Sequence, residues 1–233
     1  MQKRIGALSI FLLLLTEPLW AYDASYISLN QVNLAELLAP PPTSQSNEQE
    51  LDLMAVLRMQ KESTASQRER AVADNELSVF RTAEDVLGPN FTPPRVPKTA
   101  EFFDRIWKDY REIILATKDV WHRPRPYEVS TDVKPIGKLE KSGSYPSGHA
   151  TRGYLGAIIL SNMLPEKRES LFARAREYGD NRIVAGDHFP SDVEAGRFAA
   201  TAMAVAFIQN DKFSNDFAEA KAELRSQLGL STQ

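Results

Sequence analysis

The 233-residue chain contains no cysteine and only three histidines. The first absence removes thiol catalysis and thiolate metal sites, and leaves the fold to packing and hydrogen bonding alone. The second makes each histidine worth following. An excess of one charge is also missing. Twenty-eight basic residues stand against 31 acidic ones, with no basic block suited to nucleic acid and no acidic tail. Beyond the N-terminus no apolar run reaches bilayer-spanning length. The longest, Phe198 to Ile208, is alanine-rich and suits a core helix. No internal repeat is visible, and no alternating run insists on a strand. Nucleic acid is therefore not an expected partner, and neither is stable membrane insertion.

The N-terminus itself reads as a secretory signal. Lys3 and Arg4 precede a short apolar core, Ile5 to Leu15, which Glu17 and Pro18 interrupt before Leu19-Trp20-Ala21. Residues 1–21 are expected to be removed, and residues 22–233 to form one domain. That domain would be periplasmic in a cell with two membranes, and secreted otherwise.

The remaining pattern is almost wholly helical. Ser46 is a candidate N-cap for a helix to about Lys61, and further helices are expected over 67–75 and 78–87, the second stopped by Gly88-Pro89. From Thr99 to about His122, Phe103, Trp107, Tyr110, Ile114 and Trp121 recur at three- and four-residue steps and form one stripe. Lys118 falls on that stripe, where it either snorkels outward or aims at something buried and anionic. Residues 127–145 read as a loop. Helices resume over 147–164 and 166–185, with a Gly-Asp break at 186–187. Ser191-Asp192-Val193-Glu194 is a capping-box pattern that opens the helix to Ile208, and a last amphipathic helix covers 213–228. The expected fold is all-α, a single compact helical domain.

Three short sets carry the chemistry: Lys118 with Arg125-Pro126, then Pro146-Ser147-Gly148-His149, then Arg182 with His188 and Asp192. Each falls at a helix end, where side chains from different helices can converge. His188 and Asp192 are four residues apart, so the carboxylate can reach one imidazole nitrogen and leave the other free to attack. Lys118, Arg125 and Arg182 supply positive charge. Ser147 and the Gly148 N–H add neutral donors at a helix N-terminus, which favours anions. That inventory suits a phosphoryl group with three equatorial oxygens.

Together the three sets resemble the signature of the PAP2 (type 2 phosphatidic acid phosphatase) superfamily. Gly143-Ser144-Tyr145 and Ser191 to Arg197 around them resemble the bacterial class A non-specific acid phosphatases, as does Leu37 to Pro42. Residues 43–100 resemble that group only loosely. The resemblance implies hydrolysis of small phosphate esters with no metal and no cofactor, and a homodimer. In it His188 is the nucleophile that forms a phosphohistidine, Asp192 holds it, and His149 is the general acid and then base. Lys118, Arg125, Ser147, Gly148 and Arg182 hold the phosphoryl oxygens. A bell-shaped pH profile on the acid side is expected from these roles. One departure is Asn181, where the family usually has serine. Two alternatives share the sequence: a vanadate-dependent haloperoxidase on the same site, and a secreted helical binding protein whose site has decayed.

Overall fold

In the computed structural model the described residues are 24–231, so the signal expected at 1–21 lies outside them. Among the described residues the chain forms ten α-helices, one 3-10 turn at Pro165–Lys167 and no strand. The helices are α1 (Leu34–Leu37), α2 (Asn47–Glu62), α3 (Ala65–Ala73), α4 (Val79–Leu87), α5 (Pro97–Trp121), α6 (Pro126–Val129), α7 (Gly148–Met163), α8 (Arg168–Val184), α9 (Pro190–Ile208) and α10 (Asp211–Gln227). The all-α expectation holds.

The centre is α7, which lies between α8 and α9. Small residues let these helices approach. A β-carbon on Gly196 of α9 would lie 2.7 Å from the Ser147 carbonyl oxygen and 2.9 Å from the Ala150 β-carbon, so glycine is required there. The Ser147 N–H also donates to the Asp192 carbonyl at 2.9 Å. The starts of α7 and α9, each carrying a histidine at or just before its first turn, are thereby fixed side by side.

Helix α5 buries Phe103, Trp107, Tyr110 and Ile114 of its predicted stripe, together with Phe102, Ile106 and Ile113. Phe102 meets Tyr26 and Phe213 in an aromatic cluster that joins α5 to α10 and the N-terminal strap. Buried Asp109 holds that strap by accepting from the Ser25, Tyr26 and Ile27 N–H groups at 2.7, 2.7 and 3.0 Å. Helix α5 ends at His122, whose φ of 47° places it in the left-handed region and whose N–H caps the Lys118 carbonyl at 3.0 Å. The third histidine is thus an exposed cap.

Among the boundaries that differ from the sequence reading, three bear on local structure. Helix α9 begins at Pro190, because proline at the first position is already set for helical φ. Asp192 is then the third helical residue, and its carboxylate accepts from the Phe189 N–H at 2.8 Å. Helix α3 begins at Ala65, since Thr64 and Gln67 cap each other reciprocally. The loop 127–145 starts with the short helix α6.

Candidate active site

The site is a cavity of about 410 Å³ at the joined ends of α5, α7 and α9. His149, His188, Lys118, Arg125 and Gly148 line it, with Trp107, Tyr110 and Ile114 forming an apolar wall. A larger groove of about 680 Å³ lies between α1 and α9 and contains neither histidine. Chemistry, and not size, identifies the site.

His188 is 1 % exposed. Its Nδ1 lies 3.3 Å from Asp192 Oδ2; a carboxylate only accepts, so Nδ1 carries the proton and Nε2 holds the lone pair. Arg125 Nη1 is 3.4 Å from Nε2, and Asp187 Oδ2 is 3.6 Å away. Asp192, fully buried, also accepts from Arg123 Nη1 at 2.5 Å. Burial raises the Asp192 carboxyl above its ordinary value and Arg123 opposes that shift. Arg123 further donates to Ser191 Oγ at 2.7 Å, Gln49 Oε1 at 2.7 Å and Asp52 Oδ2 at 2.8 Å. Its guanidinium lies 4.3 Å from the centre of the Phe189 ring.

His149, on the first turn of α7, donates from Nε2 to the Asn75 carbonyl at 3.2 Å. A ring nitrogen of His149, one of His188 and a carboxylate oxygen of Asp187 all lie within 4.8 Å of one another. The two imidazoles therefore face each other across the cavity floor. Both are held well below the ordinary imidazole value. Desolvation is the main cause for each, followed by Arg182 for His149 and Arg125 for His188. These two imidazoles and Asp187 have the donor types of a metal site, but Lys118, Arg125 and Arg182 around them favour an anion.

The expected phosphate ligands divide into two groups. Lys118 and Arg125 line the cavity. Lys118 Nζ donates to the Gly143 carbonyl, and burial, aided by Arg125, lowers its ammonium to about 7. The sequence left its direction open; it is buried and points inward. Arg125 donates from Nε to Ser142 O at 3.0 Å and from Nη1 to Asp187 Oδ1 at 2.7 Å, while its Nη2 contacts are long, 3.4–3.5 Å. Gly148 also lines the cavity, and its carbonyl accepts from the Tyr110 hydroxyl at 2.6 Å.

Ser147 and Arg182 do not form the cavity wall. Ser147 Oγ caps α7 by accepting from the Ala150 N–H at 3.3 Å. Arg182 donates to Asn75 Oδ1 at 2.9 Å and to the Ala71 carbonyl, leaving its buried Nε without a partner. Asn181 donates to Asp74 Oδ2 at 2.7 Å, and Asp74 Oδ1 accepts from Arg174 at 2.5 Å.

Several residues here escaped the sequence reading. Arg123 read only as part of a helix-ending Arg-Pro repeat, and Asp187 only as half of a Gly-Asp break. Asp52, Asp74 and Asn75 carried no motif. Arg152, on the cavity wall with its guanidinium 4.2 Å from the Trp107 ring, gave no signal beyond its charge.

A profile of the family described as PAP2 superfamily matches residues 111–216, which include all eight expected site residues. An acid phosphatase of Zymomonas mobilis is 33 % identical over 196 residues, covering 80 % of this chain and 74 % of that protein. The chain belongs to the PAP2 superfamily. A non-specific acid phosphatase of Providencia stuartii is 29 % identical, covering 86 % of this chain and 85 % of that one. Among solved structures, a transmembrane PAP2-type phosphatidylglycerolphosphate phosphatase from Bacillus subtilis shares the PAP2 fold. The TM-score is 0.50 at 21 % identity, with 77 % of this chain and 90 % of that one covered. Among the described residues of this PAP2 chain no helix is long and apolar enough to cross a membrane.

Proposed function

We propose that this PAP2 protein is an exported acid phosphatase that hydrolyses phosphomonoesters of varied structure through a phosphohistidine. The hydrolase assignment stands on superfamily membership and on acid phosphatase relatives that align over most of the chain. The single observation that carries the mechanism is His188. Its Nδ1 is held by a buried carboxylate, and its Nε2 lone pair faces a cationic cavity opposite a second imidazole.

Nε2 of His188 attacks phosphorus in line, and the bond to the ester oxygen breaks. Asp192 stabilises the positive charge that develops on the ring. His149 protonates the departing alkoxide and then takes a proton from the water that cleaves the P–N bond. Because Nε2–H of His149 is bonded to Asn75, Nδ1 carries the transferable proton. Lys118, Arg125 and the N–H groups at the start of α7 stabilise the equatorial oxygens. Arg182 and Ser147 act one layer behind, by adding positive potential and by fixing that helix end.

Burial keeps His149 neutral in the empty site, and a bound phosphoryl dianion restores its proton. The alkaline limb of kcat is accordingly expected at higher pH than that of kcat/KM. Export rests on the signal expected at 1–21. A homodimer is supported by exposed Leu37, Phe198, Val205 and Ile208, an apolar strip that a second copy would cover.

Turnover of a chromogenic phosphomonoester in the presence of EDTA tests this reading. Activity should survive chelation and be lost in His188→Ala, and denaturing acid–base stability of a labelled protein adduct should match a P–N bond. Halide oxidation with vanadate and peroxide, in place of simple inhibition by vanadate, would reverse it.

A further inference from the structure

Glu140 is the carboxylate that lines the anion site, but Asp187, just behind the lining, is the one that sits against both imidazoles. Asp187 is 4 % exposed, and its Oδ2 has no hydrogen-bond partner. That oxygen lies 3.6 Å from His188 Nε2, the atom that attacks phosphorus, and one of the two carboxylate oxygens lies within 4.8 Å of a His149 nitrogen. The other oxygen takes the Arg125 Nη1 hydrogen bond at 2.7 Å. Gly186, with a φ of 71°, makes the turn that delivers it. A β-carbon there would lie 2.7 Å from Gln60 Nε2 and 2.8 Å from Val133, so the turn is tightly specified.

An ionised carboxylate in this position opposes a phosphoryl dianion twice. It occupies Arg125, and its free oxygen is 3.6 Å from the nitrogen that attacks phosphorus. Two anions at contact distance do not both stay ionised; one takes a proton. We propose that Asp187 is the proton-holding group of the phosphate pocket, ionised and paired with Arg125 when the pocket is empty, protonated and donating to a phosphoryl oxygen when it is filled. The groups that face it set the direction of this exchange. Lys118 of α5, Arg125, Tyr127 of α6 and Arg182 of α8 lie around it, with His149 of α7, His188, and Asp192 of α9 behind His188. Three of these groups, Lys118, Arg125 and Arg182, are cations. A bound dianion cancels their field, and the proton enters from solvent with the ligand.

The inference rests on the phosphatase reading of the same site, and adds to it a discrimination by charge. The pocket accepts a phosphoryl group plus one proton, so binding weakens as pH rises. Sulfate is the appropriate probe, because it stays dianionic from about pH 4 to about pH 8 and any pH dependence of its binding belongs to the protein. Sulfate inhibition of phosphomonoester turnover is compared in wild type and Asp187→Asn, with calorimetry in two buffers of different ionisation enthalpy to count protons.

Wild type should take up about one more proton than Asp187→Asn on binding sulfate, and the variant should bind sulfate roughly tenfold tighter at neutral pH, converging with wild type in acid. Asp187→Ser gives the same comparison if the asparagine variant folds poorly. Equal proton uptake in wild type and variant, or none in wild type, overturns the role of Asp187 while turnover leaves the phosphatase reading intact. A wild type that neither turns over phosphomonoesters nor binds sulfate at any pH overturns the phosphatase reading, and this inference with it.

Discussion

The two halves of the cavity floor are braced differently. On the His188 side the brace is ionic and direct. Asp52 of α2 and Asp192 of α9 share Arg123, and Asp192 touches the imidazole. On the His149 side the brace is one step removed. Asp74, just past α3, gathers Arg174 and Asn181 of α8, while its neighbour Asn75 holds Arg182 by its side chain and His149 by its carbonyl. The nucleophile is thus held by a charge that can stabilise its cationic state. The proton-transferring imidazole is hydrogen-bonded to a neutral carbonyl and not to a carboxylate, and so is free to change charge when substrate arrives. Residues 46–78, which carry no motif, brace both halves.

The comparison breaks most sharply at Arg123. In Arg123→Ala the buried carboxylates of Asp52 and Asp192 lose their shared cation, a defect of about 3–5 kcal/mol in unfolding free energy. Urea denaturation measures it. Because Asp192 would then tend to hold a proton, kcat should fall with it, by more than tenfold under conditions where the variant remains folded. A folded variant with wild-type kcat would show that the ionic brace does not reach His188.

Asp74→Ala tests the other half. Asp74 is wholly buried and its loss strands Arg174 and Asn181, but Arg174 keeps Glu177 at 3.3 Å and Asp85 at 3.6 Å. The expected destabilisation is therefore near the lower end of the buried-pair range, about 3 kcal/mol. Its kinetic signature should differ in kind. Movement of Asn75 releases the His149 Nε2–H and the Arg182 guanidinium, so the pH profile shifts while the charge on Asp192 is untouched. Profiles of kcat/KM for the two variants, measured side by side, distinguish the halves.

How far the sequence led depended on how local each interaction is. His188 and Asp192 sit four residues apart, and Ser46 caps the helix that follows it, so these features were legible from spacing. The stripe on α5 was equally plain, and it carried Lys118 into the interior. The braces were not legible, because their partners are far apart in the chain: 69 residues for Arg123 and Asp192, 107 for Asp74 and Asn181, 139 for Asp52 and Ser191. Asp187 was hidden for another reason. An aspartate after glycine is ordinary turn chemistry, and only the fold shows that this turn opens onto two imidazoles.

Lys118 gives a smaller effect with a defined pH window. Its ammonium is lowered to about 7, so the cation is present below that pH and lost as pH rises through it. Affinity for a dianion should therefore fall above about pH 7, by up to tenfold per unit. In Lys118→Met the part of that decline centred near pH 7 should be lost from the inhibition constant of sulfate, while the proton-linked part carried by Asp187 and His149 remains and binding in acid becomes weaker. A decline unchanged in the variant would assign it elsewhere in the pocket.

The smallest expected effect concerns Asn181. The family's serine at this position has a shorter side chain, and Asn181→Ser would lose the 2.7 Å bond from Nδ2 to Asp74 Oδ2. Asp74 would keep Arg174, and Arg182 would keep Asn75 and Ala71, so no buried charge is stranded. A single hydrogen bond of this kind is worth about 1 kcal/mol, and kcat/KM should change by less than about threefold. Asn181→Leu is the informative contrast. It fills the space but leaves Asp74 Oδ2 buried without its donor, a cost of about 1–3 kcal/mol, and should displace the pH profile in the direction of Asp74→Ala. If the serine variant instead gained activity by an order of magnitude, Asn181 would be acting on the phosphoryl group through Arg182, and the His149 half would be no less directly coupled to chemistry than the His188 half.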